Sequence, residues 1–440
     1  MYTFLIEQDL QAYDTFLADH HGQYIQSSFW KDVKTTWKCT YYSGFCKDER
    51  VLIALVMERT LPLVGKIWYV SNGMLCDYHD EALLTAFTDF INTKMKQEKI
   101  TSLIIDPSIS LRINHQLRED GIVIHHTLTR LGYRLNTNIK NYTYKQPVQL
   151  FIPLTKDNQT LSKEELLKKC DKGVRYSLRI AAQRGLVSES YDYQQIIEHP
   201  EAMEDFMGVM KDTSSRDDFV SRNGDYCTNI LKSFNKTSDL KLVYYDKSLD
   251  TQLEMDRQAE KKQLTESLQT ASSKKIKSIN EAILSIDKQS EQYQKRIQEV
   301  EAFTSQNRIC VAGGLTIYYA KMGSCLFGGT RNVIRNNTRS SHYLNYLRLC
   351  ESLERGCEVH DLGYVIVQNP ELQKDGILGP LVAYDHFKGI YDFKKSFGSD
   401  YHEFIGEYVL VNNPFKHFIY AVAMPTAKKL KVNLFKHLKK

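Results

Sequence analysis

Near its C-terminal end the chain reads Gly389-Ile-Tyr-Asp-Phe-Lys-Lys-Ser-Phe-Gly398, setting the pair Lys394-Lys395 among Tyr391, Phe393 and Phe397. An ammonium between rings, in a segment whose glycines let backbone approach, can stabilise an anion in a cleft. The same residues also read as an exposed strand end with two solvated lysines. Two other basic stretches suit phosphate. In KEELLKKCDKGVRYSLRIAAQRG, Lys168, Lys172, Arg175 and Arg179 fall at i, i+4, i+7 and i+11, which aligns them on one face of a single helix ending near Gly185. Such a stripe can follow a phosphate backbone, and it is equally the form of a solvated helix face. The tail KHFIYAVAMPTAKKLKVNLFKHLKK places Lys428, Lys429, Lys431, Lys436, Lys439 and Lys440 among aromatic and aliphatic residues, a composition suited to an anionic membrane surface or to nucleic acid.

Bulk composition bounds the rest. At 440 residues and 42% hydrophobic content the chain should form two or three globular domains, and a net charge of +5 is too mild to mark a nucleic-acid binder by itself. Its nine cysteines are scattered without a C-x-x-C pair, as reduced cytosolic thiols are, and no apolar run is long enough to span a membrane. A cytoplasmic protein is expected. There is no P-loop, no G-x-G-x-x-G after a strand, no G-x-S-x-G and no metal-spaced His/Cys cluster; His125-His126 is an isolated pair read as structural. The chemistry left is that of a transferase that positions two substrates and supplies charge, with no cofactor and no metal.

The elements that must position these residues read as mixed α/β. Strand-like runs fall at 37–45, 51–57, 67–70 and 103–105, with an amphipathic helix over 81–96; a second set falls at 240–245, 309–319 and 324–327, before a helix over 343–355 stopped by Gly356. The runs VLIALVMERTLPLVGKIWYV and ICVAGGLTIYYAKMGSCLF share a rhythm of strand, short link and strand, which suggests two related halves. Between two strands of the second half, 248–303 holds no Pro and no Gly. Ile276, Ile279, Ile283, Ile286, Tyr293, Ile297 and Val300 keep a 3–4 spacing opposite Leu249, Leu253, Leu264, Leu268 and Ala271, which predicts an antiparallel coiled-coil arm with its tip at 272–275. A bare spacer and a binding arm are both consistent with it.

Six segments in order then resemble one family, the FemABX peptidyltransferases: YIQSSFWKDVKTTW (24–37), LIIDPSI (103–109), the basic helix ending in AAQRG, SRNGDY (221–226), the inserted coil, and GIYDFKKSFGSDYHEFIGEY (389–408). The resemblance implies two GNAT-like acyltransferase domains, 1–147 and 148–247 plus 304–410, with the arm at 248–303 and a basic, helical tail at 411–440. It implies transfer of an amino acid from aminoacyl-tRNA to the stem-peptide amine of a lipid-linked peptidoglycan precursor (lipid II), with peripheral contact at the inner face of the membrane. A specialised relative that alters the bridge and protects against a wall hydrolase fits the same pattern. In this likeness Lys34, Arg222 and Tyr226 grip the precursor's phosphates and muramyl part, Asp106 and Glu407 stand at the substrate end of the cleft, and Phe393 with Lys394 stabilises the oxyanion. Lys395 is then the solvated neighbour. The chain departs from the family pattern at Ser71-Asn72-Gly73, at Phe327-Gly328-Gly329-Thr330 and at 337–346, positions that bear on the acceptor and the donated amino acid. The competing reading is a non-catalytic tRNA- or membrane-binding scaffold, which has no need of Lys34, Asp106, Arg222, Lys394 and Glu407 together.

Overall fold

A computed structural model describes residues 1–139, 142, 145–217 and 219–423. The chain divides into two compact units, one of Met1–Thr155, Tyr319–Met322 and Cys357–Lys440, the other of Lys156–Tyr318 and Gly323–Gly356.

The first unit is built on a sheet in the order Tyr2–Ile6, Lys38–Cys46, Glu49–Leu61, Gly65–Val70, Ile100–Ile105, Tyr408–Val411 and Arg134–Leu135. Its neighbours run antiparallel except Gly65–Val70 beside Ile100–Ile105, the pair joined through the helix Glu81–Gln97. That helix starts where Asp80 accepts from the Leu83 amide, and it buries Leu83, Leu84, Phe87, Ile91 and Met95 against Leu103, Ile105 and Tyr408. Each such side chain contributes roughly 1.5–3 kcal/mol. His125 belongs to this core, its Nδ1 lying 2.7 Å from the Tyr408 hydroxyl. A second antiparallel set in the same unit runs Val359–Tyr364, Val148–Pro153, Asp400–Phe404, Ser110–Ile113 and Gln116–Leu117.

Two links carry the chain from the first sheet to the second set. Asp106 opens one, running on to Ser110, and Glu407 closes the other, between Phe404 and Tyr408. Because Tyr408 pairs with Ile105 in antiparallel register, the two carboxylates leave adjacent strands at the same end, and Ile405 N bonds to Ile109 O at 2.9 Å.

The compact units differ from the expected domain boundaries. Residues 148–155 and 357–410 fall in the first unit, because Val148–Pro153, Val359–Tyr364 and Asp400–Phe404 form one ladder with Ser110–Ile113, the strand that follows Asp106. The lysines from Lys428 to Lys440 lie outside the described residues; before them the chain forms the short helix Pro414–Phe418 and one further turn, Ile419–Ala423.

In the second unit the strands Leu186–Tyr191, Ser238–Asp246 and Arg308–Tyr319 lie side by side, antiparallel. Asp246 pairs with Arg308, and between them the chain leaves and returns through two helices, Lys247–Ser267 and Ser273–Phe303. The facing pairs are polar as well as apolar: Thr251 with Tyr293 (3.0 Å), Gln258 with Ser290 (2.8 Å) and Lys261 with Asp287 (2.5 Å).

Toward the root the pairing becomes buried and ionic. Arg296 meets Asp250 at 2.7 Å with neither side chain exposed, Tyr245 donates to Asp250 at 2.7 Å, and Arg296 donates to Asn337 at 2.9 Å. Val300 enters the core with Val243, Tyr245 and Val311. The root of the arm is thus part of the unit that carries it.

Removing one member of a buried ion pair leaves the other uncompensated. Arg296→Met should therefore lower stability by about 3–5 kcal/mol in equilibrium denaturation, whereas Lys261→Met, at a half-exposed pair farther out, should cost under about 1 kcal/mol. Equal effects would place the ionic anchor elsewhere along the arm.

Candidate functional site

Asp106 sits at the end of a fully buried strand and is itself 5% exposed. It accepts from the Tyr69 hydroxyl at 2.5 Å and from the Asn72 amide at 2.6 Å. Burial pushes its carboxyl up to about 6, against the pull of Lys145, Tyr69 and the Asn72 amide. Lys145 was not singled out by sequence, and it is the centre of the arrangement. Its side chain is buried, with Nζ 2.6 Å from Asn72 Oδ1, 2.8 Å from Ser108 Oγ and 4.2 Å from the Phe404 ring centroid. Burial pulls this ammonium down to about 8, although Asp106 and Asp361 both hold it up. Asp361 is a second unforeseen member, buried in the strand Val359–Tyr364 and accepting from Gln149 (2.6 Å) and from the Gly363 amide (2.7 Å). Burial raises it to about 6, and the Gly363 amide, Lys394, Gln149 and Lys145 oppose the rise.

Asp106, Lys145, Asp361 and Lys394 thus lie in one unit as a series of alternating charge in which each acts electrostatically on the next, and among the described residues no direct ion pair joins Asp106, Lys145 and Asp361. Lys394 ends it, in the last turn of the helix Lys388–Lys395, with Nζ 2.7 Å from Tyr364 O. The segment is helical and not a strand end, because Ile390, Phe393 and Phe397 recur at helical spacing; Phe393 packs edge-on to Phe397 at 5.3 Å. Lys395 is not a solvated neighbour: it donates to Asn114 Oδ1 at 3.0 Å and to Ser399 O at 2.7 Å, tying the helix end to the second strand set. The irregular chain before this helix is held by Glu403, which accepts from Arg112 (3.3 Å) and from the Leu381 amide (3.0 Å).

Glu407 is buried and accepts from Asn136 Nδ2 at 2.8 Å. Lys34 follows the short helix Trp30–Val33, its ammonium 5.1 Å from the Trp30 ring centroid. A cavity of about 610 Å³ opens in this unit, lined among others by Asn72, Met74, Tyr78, Ser108, Phe151 and Phe404. Lys145 therefore bonds two of its polar wall residues and stacks on one of its rings.

The other expected residues stand in the second unit. Arg222, just before a helix capped by Asn223, lies over the ring of Tyr226 in that helix's first turn at 5.1 Å. The basic stripe is broken. Lys168 lies on the helix Lys163–Lys169, started by a Ser162/Glu165 capping box, and Lys172, Arg175 and Arg179 lie on the helix Lys172–Ala181. Cys170 and Asp171 between them are extended, and the Arg175 guanidinium closes the break by donating to Lys168 O (3.2 Å) and Cys170 O (2.7 Å). Lys168 pairs with Glu164 at 2.9 Å.

The FemAB family model matches residues 9–424. The chain belongs to the FemAB family. It is 25% identical over 440 residues to the lipid II:glycine glycyltransferase of Staphylococcus saprophyticus subsp. saprophyticus, with 98% of each chain covered. To the lipid II:glycine glycyltransferase of Staphylococcus aureus it is 24% identical over 448 residues, again with 98% of each covered. The crystal structure of FemX matches its fold with a TM-score of 0.71 at 23% identity, covering 95% of this chain and 100% of that one.

The charge series fixes a pH dependence. A carboxyl raised by folding adds stability that is complete below 3.8, its ordinary value, and lost as pH rises through about 6. An amine lowered by folding acts at higher pH: from about 8 to 10.5 the folded state has shed a proton that the unfolded chain still holds, so stability rises with pH. Lys145→Met removes that rise, on the order of 3 kcal/mol, and moves the carboxylate loss toward neutral pH. Equilibrium unfolding of both proteins across this range checks it; parallel curves above about pH 8 would mean that Lys145 titrates normally.

Proposed function

We propose that this chain is an aminoacyltransferase that moves an amino acid from aminoacyl-tRNA onto the stem-peptide amine of lipid-linked peptidoglycan precursor, forming or altering the interpeptide bridge. The observation that carries the reading is the Asp106–Lys145–Asp361–Lys394 series beside a cavity whose wall residues Asn72 and Ser108 it binds. The relatives named as lipid II:glycine glycyltransferases, alike over 98% of both chains, support the acceptor class and suggest glycine as the donated residue. A scaffold has no use for three buried ionisable groups and a lysine at their margin beside such a cavity.

In this reading the acceptor ammonium loses its proton and its nitrogen attacks the carbonyl of the aminoacyl ester. The tetrahedral oxyanion is met by the Lys394 ammonium, a new amide forms as the ester C–O bond breaks, and the terminal ribose hydroxyl of tRNA takes a proton. One proton is released in sum. Asp106 is assigned to orient or deprotonate the amine, and Lys145 favours its ionised form. Glu407, at the adjoining strand end, is assigned as the second carboxylate toward the acceptor, and Phe393 is assigned to support Lys394. Lys34, Arg222 and Tyr226 are assigned to the precursor's pyrophosphate and muramyl part, where an ammonium and a forked guanidinium suit phosphate. Lys168, Lys172, Arg175 and Arg179 are assigned to tRNA or to the membrane, with Arg175 also holding its own helix start. The protein would act at the cytoplasmic face of the membrane, where a lipid-linked acceptor and charged tRNA meet.

Single-turnover transfer from charged tRNA with saturating precursor tests the assignment. Lys394→Met keeps the stem and removes the charge, and should slow transfer by roughly 10²- to 10³-fold with the fold intact. Lys395→Ala should cost about 1 kcal/mol of stability through its two lost bonds and leave the rate within a few-fold. A near wild-type rate for Lys394→Met removes Lys394 from oxyanion stabilisation.

A further inference from the structure

One edge of the first unit exposes apolar side chains that neither the core nor the charge series uses. Leu63 is 82% exposed at the turn between Glu49–Leu61 and Gly65–Val70, Phe415 and Phe418 are 75% and 57% exposed on the helix Pro414–Phe418, and Val422 in the following turn is 48% exposed. Phe415 and Phe418 share a helix face at i, i+3.

Three segments are brought to this edge by hydrogen bonds. Thr101 Oγ1 donates to Val64 O at 2.6 Å, the amides of Asn412 and Asn413 donate to Thr101 O at 3.1 and 3.0 Å, and Asn412 Nδ2 donates to Ile100 O at 2.7 Å. Lys416 Nζ comes to 3.5 Å from where a Cβ on Gly65 would lie. Lys66 and Lys99 flank the hydrogen-bonded stretches at 63–65 and 100–101, Lys416 lies on the helix of Phe415, Lys96 and Glu98 stand at the end of the helix Glu81–Gln97, and Lys66 pairs with Glu58 at 3.2 Å. The sequence then continues through 424–440 with six lysines and no Asp or Glu.

We infer that this edge, formed by Leu63, Phe415, Phe418 and Val422 with the neighbouring Lys66, Lys99 and Lys416, docks the protein on an anionic lipid bilayer. It deepens the function proposed above and rests on it for its purpose, since a lipid-linked acceptor lies in such a surface. Apolar insertion and lysine–headgroup attraction are two weak signals that hold a protein at an interface only together. An RNA would pair with the lysines but leave Leu63 and Val422 in water, because bases stack on rings and not on branched aliphatic groups.

The test uses the full-length protein without tRNA or precursor, co-sedimented with vesicles of phosphatidylcholine alone and with about one-third phosphatidylglycerol. The wild-type protein should partition onto the anionic vesicles. Phe415→Ser with Phe418→Ser should weaken that partition about tenfold or more, and Leu63→Ser a few-fold, with unchanged melting because all three are exposed. Lys99→Glu with Lys416→Glu should weaken it about tenfold on anionic vesicles only. The inference is overturned if the double Phe variant binds as the wild type does, if only replacement of the tail lysines releases the protein, or if the Phe substitutions weaken tRNA binding and leave vesicle binding unchanged. Vesicle binding is read without substrate, and transfer can be read on detergent-solubilised precursor, so failure of either leaves the other standing.

Discussion

Burying one ionised group costs several kcal/mol, and the first unit buries Asp106, Lys145 and Asp361 within reach of one another's charge. Alternation of sign makes this tolerable: Asp106, Lys145 and Asp361 share compensation, and Lys394 at the margin adds to it. Each group also has neutral partners, Tyr69 and an amide for Asp106, Asn72 and Ser108 for Lys145, Gln149 and an amide for Asp361. The backbone must therefore bring three separate stretches together. The turn at Ser71–Gly73 shows how tightly: Asn72 sits at φ 61°, and a Cβ on Gly73, at φ 71°, would come within 2.4 Å of the Tyr78 hydroxyl and 3.1 Å of Pro107 Cα. The turn is pressed onto the link that follows Asp106, and its Asn72 lines the cavity.

The second unit meets the same constraint at the root of its arm. Asp250 is shared by Arg296, Tyr245 and, at 3.8 Å, Arg257. Outward from there the pairs become exposed, so stability declines along the arm from a buried ionic anchor to a polar tip. A spacer that packed only on itself would need no such anchor. An arm that must hold its direction relative to the strands from which it springs does need one.

What the sequence made legible was local. The helix at 81–96, the strands bracketing the arm and the stop at Gly356 follow from periodicity and capping, and the structure places them within a residue or two. Asp106 and Lys394 were reachable because short motifs surround them. Lys145 was not: it lies 39 positions beyond Asp106, and a buried lysine has the same letter as a solvated one. Its one signal is weak, a lone cation just ahead of the strand Val148–Pro153. Asp361 gave a better one, an acid inside a strand with glycine two residues on. The basic stripe failed for a local reason, since counting by 3.6 carried the helix through Cys170 and Asp171, where a new helix start intervenes.

In the proposed transfer two anions compete for one cation. The oxyanion forms beside Lys394 while Asp361 already attracts that ammonium, and a carboxylate with no other support would hold it back or be stranded when it moved. Asp361 has other support: Gln149, the Gly363 amide and Lys145 remain when Lys394 turns toward the substrate. Lys145 in turn is shared with Asp106, so any proton Asp106 gains from the attacking amine weakens its claim on Lys145 and strengthens the hold of Lys145 on Asp361. Proton removal at one end of the series thus favours release of the cation at the other. On that proposal attack and oxyanion stabilisation are coupled through Lys145 and Asp361, which need not touch the substrate, and this gives a physical reason for burying charges that a simple scaffold would leave in water.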